Sequence, residues 1–241
     1  ADRVVSALRS RLEELGNPAD LELVSTGCQG PCSRGPLLTL LRPGEPDKVW
    51  EGCTPEMALS ILQAGLDGEN LPDNGLLPAD WPFFTRQKRL VLASSGRIDP
   101  ESLEQYIASG GYDSLAQVLI DFKPDEVCEQ VVKSGLRGRG GGGYPTGIKW
   151  QLVRKSSGNR KFVVANGDEG DPGAYMDRSL MESDPHRVLE GMAIAGYATG
   201  AEQGYIYVRC EYPVAAERLR KAIKDAERAG PTGGRVLDSS F

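Results

Sequence analysis

Between Gly135 and Trp150 the chain reads Gly-Leu-Arg-Gly-Arg-Gly-Gly-Gly-Gly-Tyr-Pro-Thr-Gly-Ile-Lys-Trp. Six glycines fall within the nine residues 135–143, and no regular helix or strand is expected to run through them. Each glycine inside such an element destabilises it by roughly 0.5–1 kcal/mol, so this stretch must be a loop. The same residues let backbone N–H groups crowd against a ligand and adopt positive φ without a steric penalty. Successive N–H groups in such a turn form an anion-binding concavity, and the start of a following helix adds its positive dipole end. Arg137, Arg139 and Lys149 on the flanks suit phosphate oxygens, and Tyr144 offers a flat ring. Phosphate, plane and charge together describe a site for a nucleotide-like ligand.

Three other readings of the run fit less well. A flexible linker is normally padded with serine and polar residues rather than interrupted by arginines. Gly138-x-Gly140-x-x-Gly143 matches the dinucleotide fingerprint as a string. That motif follows a strand, however, whereas residues 125–134 read as a helix ended by Gly135. Gly142-x-x-x-x-Gly147 is followed by Ile148-Lys149-Trp150 instead of Lys-Ser/Thr, so it lacks the hydroxyl a phosphate-hydrolysing P-loop uses to hold magnesium.

The 241 residues allow one large domain or two small ones. A net charge of −6 and a pI near 5.0 argue against general nucleic-acid binding. No apolar run approaches the roughly 18 residues of a membrane span, and residues 1–15 are amphipathic rather than a signal peptide. Five irregularly spaced cysteines do not make a disulfide framework. These features point to a cytoplasmic protein. The lack of an initiator Met and the ending at Phe241, just after a loop, suggest a piece of a longer polypeptide.

The pattern along the chain alternates helices and strands. Val4, Val5, Leu8, Leu12 and Leu15 share a helical face ended by Gly16. Strands are expected at 21–25, 37–41 and 49–50, and Thr54-Pro55-Glu56 opens a helix through Ala64. That α-β-β-β-α order suits a small thioredoxin-like domain over 1–65. The stretch 66–98 reads as a linker, rich in proline, glycine and acids over 66–82. Beyond it, Asp99 and Asp113 are expected to cap helices, a third spans Pro124 to Ser134, and a buried strand covers Lys161 to Ala165. Asp184 caps a helix to about Thr199, a strand spans Tyr205 to Tyr212, and an amphipathic helix runs from Pro213 to Ala229. The fold class is α/β, with a Rossmann-like second domain over 99–241 whose ligand sits at the strand ends.

Two further groups of residues carry chemistry. Asn166-Gly167-Asp168-Glu169-Gly170-Asp171 follows a predicted strand at the end where α/β sheets keep their ligands. Asn reads donors and acceptors, and carboxylates accept sugar or ribityl hydroxyls. A solvated acidic turn remains open as an alternative, whereas the oxygen spacing departs from the EF-hand rule for calcium. Cys28-x-x-x-Cys32 lies in a Gly/Pro-rich turn; zinc would want a second close pair, and the chain has none. Two thiolates supply half of an iron–sulfur cluster, the other half coming from outside this chain. Cys53, Cys128 and Cys210 read as small core residues, and the single histidine, His186, as a surface residue at a helix start.

Residues Gly135 to Trp150, Asn166 to Arg178 and Tyr205 to Tyr212 closely resemble the FMN- and NADH-binding subunit of respiratory complex I. They look still more like its relatives in NAD(P)-linked hydrogenases and formate dehydrogenases, electron-bifurcating complexes included. The resemblance runs from about Trp81 to Phe241, and residues 1–65 are similar to the ferredoxin-type thioredoxin-like domain often fused ahead of it. It implies an oxidoreductase (diaphorase) subunit in which the flavin, rather than a side chain, carries the catalysis. Gly138, Arg139, Gly140, Gly141, Gly142, Gly143 and Lys149 would hold FMN and NAD(P)H, with Asn166, Asp168 and Glu169 at the flavin's phosphate and ribityl side. Tyr144 takes the place of a stacking phenylalanine, Asp171 that of a glutamate near the nicotinamide nucleotide, and Leu152 that of a second phenylalanine.

By the same resemblance Cys28 and Cys32 are the second cysteine pair of a 2Fe–2S cluster. The first pair would precede Ala1; a flavin-covering segment, a ubiquitin-like domain and a 4Fe–4S domain would follow Phe241. The implied partners are a thioredoxin-like iron–sulfur subunit and the iron–sulfur catalytic subunit of a hydrogenase or formate dehydrogenase complex. The alternative reading is a degenerate, non-catalytic flavin subunit that bridges partner subunits.

Overall fold

The computed structural model describes residues 1–241 and divides into two compact units, Ala1–Ala93 and Ser94–Phe241. In the first, helix α1 (Asp2–Glu14) buries Val4, Leu8 and Leu12. Helix α2 (Pro55–Asp67) starts where the Thr54 hydroxyl accepts from Met57 N at 3.3 Å and stops at left-handed Gly68. Val4, Leu8, Cys53 and Ala58 form the core between them, with Leu23, Leu38 and Met57 against it.

Strands β1 (Leu38–Leu40) and β2 (Lys48–Trp50) pair antiparallel, Leu38 opposite Trp50. Trp50 is fully buried, and its indole N–H donates to Pro72 O at 2.8 Å. Leu77 N donates to Val49 O and Glu51 N to Gly75 O, each at 2.8 Å, so residues 72–77 run alongside β2. The strand expected at 21–25 does not form: that segment is extended without ladder pairing and contributes Leu23 to the core. The order is therefore α-β-β-α. A short helix, α3 (Pro82–Thr85), follows.

The second unit is a mixed α/β layer. Helix α4 (Leu103–Ala108) is capped by Ser102, whose hydroxyl accepts from Gln105 N at 3.2 Å. The expected cap, Asp99, instead closes a turn by accepting from Glu101 N at 2.8 Å. Helix α5 (Asp113–Asp121) begins after Tyr112 at φ 63°, without a side-chain cap from Asp113. Helix α6 (Pro124–Ser134) ends at left-handed Gly135, and α7 (Thr146–Lys155) leads to strand β3 (Phe162–Gly167).

Helices α8 (Met176–Ser183) and α9 (Pro185–Thr199) connect β3 to strand β4 (Gln203–Val208), and α10 (Pro213–Ala229) closes the unit. β3 and β4 pair in parallel from Phe162↔Gln203 to Gly167↔Val208. The crossover through helices is what a parallel pair requires. Ile98, Leu103, Tyr106, Leu115, Leu189 and Ala226 build the core under α9 and α10.

Three expectations are corrected here. β3 is not buried: Phe162, Val164 and Asn166 alternate outward, leaving Val164 61 % exposed beside Tyr205 and Tyr207 of β4. Cys210 is exposed, because β4 ends at Val208 and Cys210 lies in the turn closed by Tyr212 N on Arg209 O, whereas Cys53 and Cys128 are buried. His186 is 2 % exposed, because Tyr106 stacks on it and the Tyr112 hydroxyl meets its Nδ1 at 3.0 Å. No helix is long and apolar enough to cross a membrane.

Candidate functional site

The glycine loop is closed at its neck and open at its crown. Gly138 N donates to Tyr144 O and Thr146 N to Leu136 O, each at 2.9 Å, while Arg137 pairs backbone with Pro145. The Arg137 guanidinium donates to Gly143 O at 2.9 Å and so stitches the loop internally. Between these ties, a Cβ built on Gly140, Gly141, Gly142 or Gly143 would meet nothing within 4 Å. Gly141 and Gly143 take φ of +90° and +59°, which side-chain-bearing residues rarely adopt. Packing does not force these glycines; what they provide is bare, accessible backbone. Arg139, Tyr144 and Lys149 are exposed around that crown.

The loop feeds directly into α7, whose first turn has no side-chain cap. Of its first N–H groups, that of Thr146 is taken by Leu136 O at 2.9 Å, across the loop neck. What fixes α7 is Gly147: a Cβ there would lie 2.5 Å from Val132 N and 2.8 Å from Val132 Cα on α6. Trp150 packs with Val127, Cys128 and Ala198, and Arg154 donates to Asp125 at 3.1 Å, tying the far end of α7 to α6. That guanidinium holds the Asp125 carboxyl below its usual range. Leu152 is 59 % exposed.

The second half of the site follows β3. Asn166 Oδ1 accepts from Asp168 N at 2.9 Å, and Asp168 lies 3.6 Å from Arg209, the residue after β4. Glu169 turns inward. Its Oε1 accepts from Met176 N (2.5 Å) and Asp177 N (3.2 Å), and its Oε2 from Arg178 N (3.1 Å). It thus supplies the cap that α8 lacks locally, since Tyr175 before it sits at φ 63°. Asp171 is exposed at the tip of the intervening arch, where its carbonyl accepts from Ala174 N at 3.1 Å.

Burial, with Glu169 nearby, raises the Asp177 carboxyl, whereas Arg209 at 3.0 Å holds Glu211 down at about 2. Arg209 and Tyr212 in this assembly escaped the sequence reading. Their partners lie about forty residues upstream, and no local spacing rule connects them.

Cys28 and Cys32 are exposed in the first unit, where Gly30 N donates to Cys28 Sγ at 3.3 Å. Gly30 sits at φ +111° with the Phe83 ring against it. No group of three or more His, Cys, Asp or Glu side chains converges on a metal-sized site.

A glycine loop with a bare crown, a helix start without a side-chain cap and a polar arch at the C-terminal end of a parallel strand are features with which α/β domains bind nucleotides. Residues 131–239 match the family model of the Nuo51 FMN-binding domain. The NADP-reducing hydrogenase subunit HndC of Solidesulfovibrio fructosivorans is 51 % identical over 156 residues, 65 % of this chain and 31 % of that protein. The F 2 subunit of the NADH-quinone oxidoreductase of Rhizobium meliloti is 47 % identical over 59 % of this chain and 34 % of its own length. The chain thus spans about a third of the length of these curated relatives. A crystal structure of NAD+-reducing [NiFe]-hydrogenase in the air-oxidized state aligns over 76 % of this chain and 30 % of that one, at 24 % identity and a TM-score of 0.49.

Proposed function

We propose that this chain is the flavin-holding part of a diaphorase-type subunit in an NAD(P)-linked oxidoreductase complex. The activity of such a complex would be electron transfer between NAD(P)H and a partner hydrogenase or formate dehydrogenase, with FMN and iron–sulfur clusters as the carriers. The observation that carries this reading is the glycine crown, open at Gly140–Gly143 and rigidly closed below by Arg137, Gly138 and Thr146. Such a crown fits a phosphate-bearing ligand, because no protein atom lies near where its side chains would stand and the neck below it is already tied.

FMN held there would supply two-electron chemistry with a hydride donor and one-electron chemistry with iron–sulfur carriers. The chain's own residues bind and orient. Crown N–H groups and the α7 start receive the phosphate, with Lys149 and Arg139 supplying positive charge. Tyr144 offers its ring face, and Asn166, Asp168 and Asp171 face sugar or ribityl hydroxyls and the nicotinamide nucleotide. Glu169 belongs to the same reading through the loop it shapes. In the N-terminal part (1–65, thioredoxin-like), Cys28 and Cys32 would furnish half of a 2Fe–2S site.

The experiment is an anaerobic FMN titration of the deflavinated, intact protein, followed by flavin fluorescence. One FMN should bind per chain, and Lys149→Ala should weaken it about ten-fold or more, as expected for a charge-assisted contact of about 1.5–3 kcal/mol. No saturable FMN binding by the wild type refutes the proposal.

A further inference from the structure

We infer that Tyr212 is a positioning residue, one that sets the arch after β3 through Glu169 without touching the ligand. The functional half of this inference rests on the reading that the arch receives the flavin. Tyr212 is 7 % exposed and packs with Met181, Ala215 and Leu219, so its ring is anchored in the core. Its hydroxyl leaves that core and donates to Glu169 O at 3.0 Å. Glu169 is thereby gripped at both ends: its carbonyl by a phenol rooted at the start of α10, its carboxylate by three N–H groups of α8.

Two side contacts brace the same point. The Arg178 guanidinium lies 5.3 Å from the centre of the Tyr212 ring, and Arg209 reaches Asp168 at 3.6 Å. Residues 170–175 arch out between these fixed ends, carrying Asp171 at the exposed tip. The carboxylate of Glu169 is spent on α8, so its contribution is the placement of Asp168 and Asp171, and Tyr212 fixes that placement from below.

The test compares wild type, Tyr212→Phe and a control, Tyr207→Phe, in the intact protein. Tyr212→Phe keeps the buried ring and removes only the hydroxyl. Hydrogen–deuterium exchange of amides 176–178 is read without any cofactor, and FMN affinity is read by fluorescence titration. Tyr212→Phe should exchange faster at 176–178 and bind FMN about five-fold more weakly, the loss of one hydrogen bond, while Tyr207→Phe matches wild type. Unchanged exchange and an FMN affinity within two-fold of wild type overturn the inference.

If Tyr212→Phe fails to fold, Glu169→Gln takes its place. It keeps the side-chain length but leaves one carbonyl acceptor for three donors. Faster exchange with weaker FMN binding again supports the inference, and no change in either overturns it. Wild type that takes up no FMN overturns the flavin reading itself. Exchange at 176–178 then decides the tether alone: faster in Tyr212→Phe supports it, unchanged overturns it.

Discussion

Gly147→Ala separates a packing account of α7 from a propensity account, because the two give opposite signs. On helix propensity alone, alanine for glycine stabilises a helix by up to about 1 kcal/mol. In the structure the added Cβ would sit 2.5 Å from Val132 N, 2.6 Å from Val132 Cγ2 and 2.8 Å from Val132 Cα. Ordinary contact between such atoms is about 3.5–4.0 Å, so α7 must retreat from α6 by roughly 1 Å. Two of the three atoms met are backbone and cannot rotate away. Overpacking costs about 1–3 kcal/mol, and contacts this short against backbone put it at about 2–3, so a propensity gain of up to about 1 offsets only part of it.

A net loss of about 1–2 kcal/mol corresponds to a fall in Tm of roughly 2–8 °C for a chain of this size. Calorimetry measures it directly. FMN affinity should fall in the same variant, since the loop neck is tied to Thr146, one residue away from the clash. An alanine variant that melts higher than wild type, with unchanged FMN affinity, would refute the claim that Gly147 sets the α6–α7 contact.

Burial pushes the His186 imidazole below its usual 6.5, with Asp184, Asp225 and Glu104 opposing and Lys221 assisting. The unfolded chain therefore takes up the proton first. Stability from this site is complete above pH 6.5 and is lost as pH falls below it, so wild-type Tm should drop more between pH 7 and pH 5 than that of His186→Asn. Equal slopes would rule out His186 as the titrating group. Glu190→Ala should destabilise by roughly 3 kcal/mol in a denaturant melt, because it strands the Tyr106 hydroxyl and the N–H groups of Tyr112 and Leu115 in a buried site. Alkylation followed by peptide mass spectrometry should label the exposed Cys28, Cys32 and Cys210 in native protein; Cys53 and Cys128, buried and with thiols raised by burial, should label only on unfolding.

What could be read in the sequence was what local chemistry decides. The helices Pro124–Ser134, Pro185–Thr199 and Pro213–Ala229 each open on proline and close at a left-handed glycine, so their limits were legible to the residue. The α8 helix was not legible, because the group that caps it, Glu169, lies seven residues upstream of Met176 and Tyr175 takes an unfavoured φ before it. His186 looked like a surface residue because its sequence neighbours are polar or charged; Tyr106 and Tyr112, more than seventy residues away, bury it. The glycine crown and the Asn166 turn were visible as composition, while the ties that hold them, through Arg209 and Tyr212, form only when β3 and β4 pair in register.

That division bears on how the site works. A ligand-binding loop made of glycine loses much conformational entropy when it orders, and a floppy crown would charge that loss to every binding event. Here the neck bonds from Gly138, Thr146 and Arg137 place the ordering in the folded state, leaving the residues between them open to a ligand. The arch after β3 is handled the same way: Glu169 and Tyr212 fix its base, and its tip at Asp171 stays exposed. On the proposed reading, groups that would not face the ligand hold, in both halves, the groups that would. Substitutions at Arg137, Gly147 or Tyr212 should therefore reduce ligand affinity although none of these side chains belongs to the ligand-facing set.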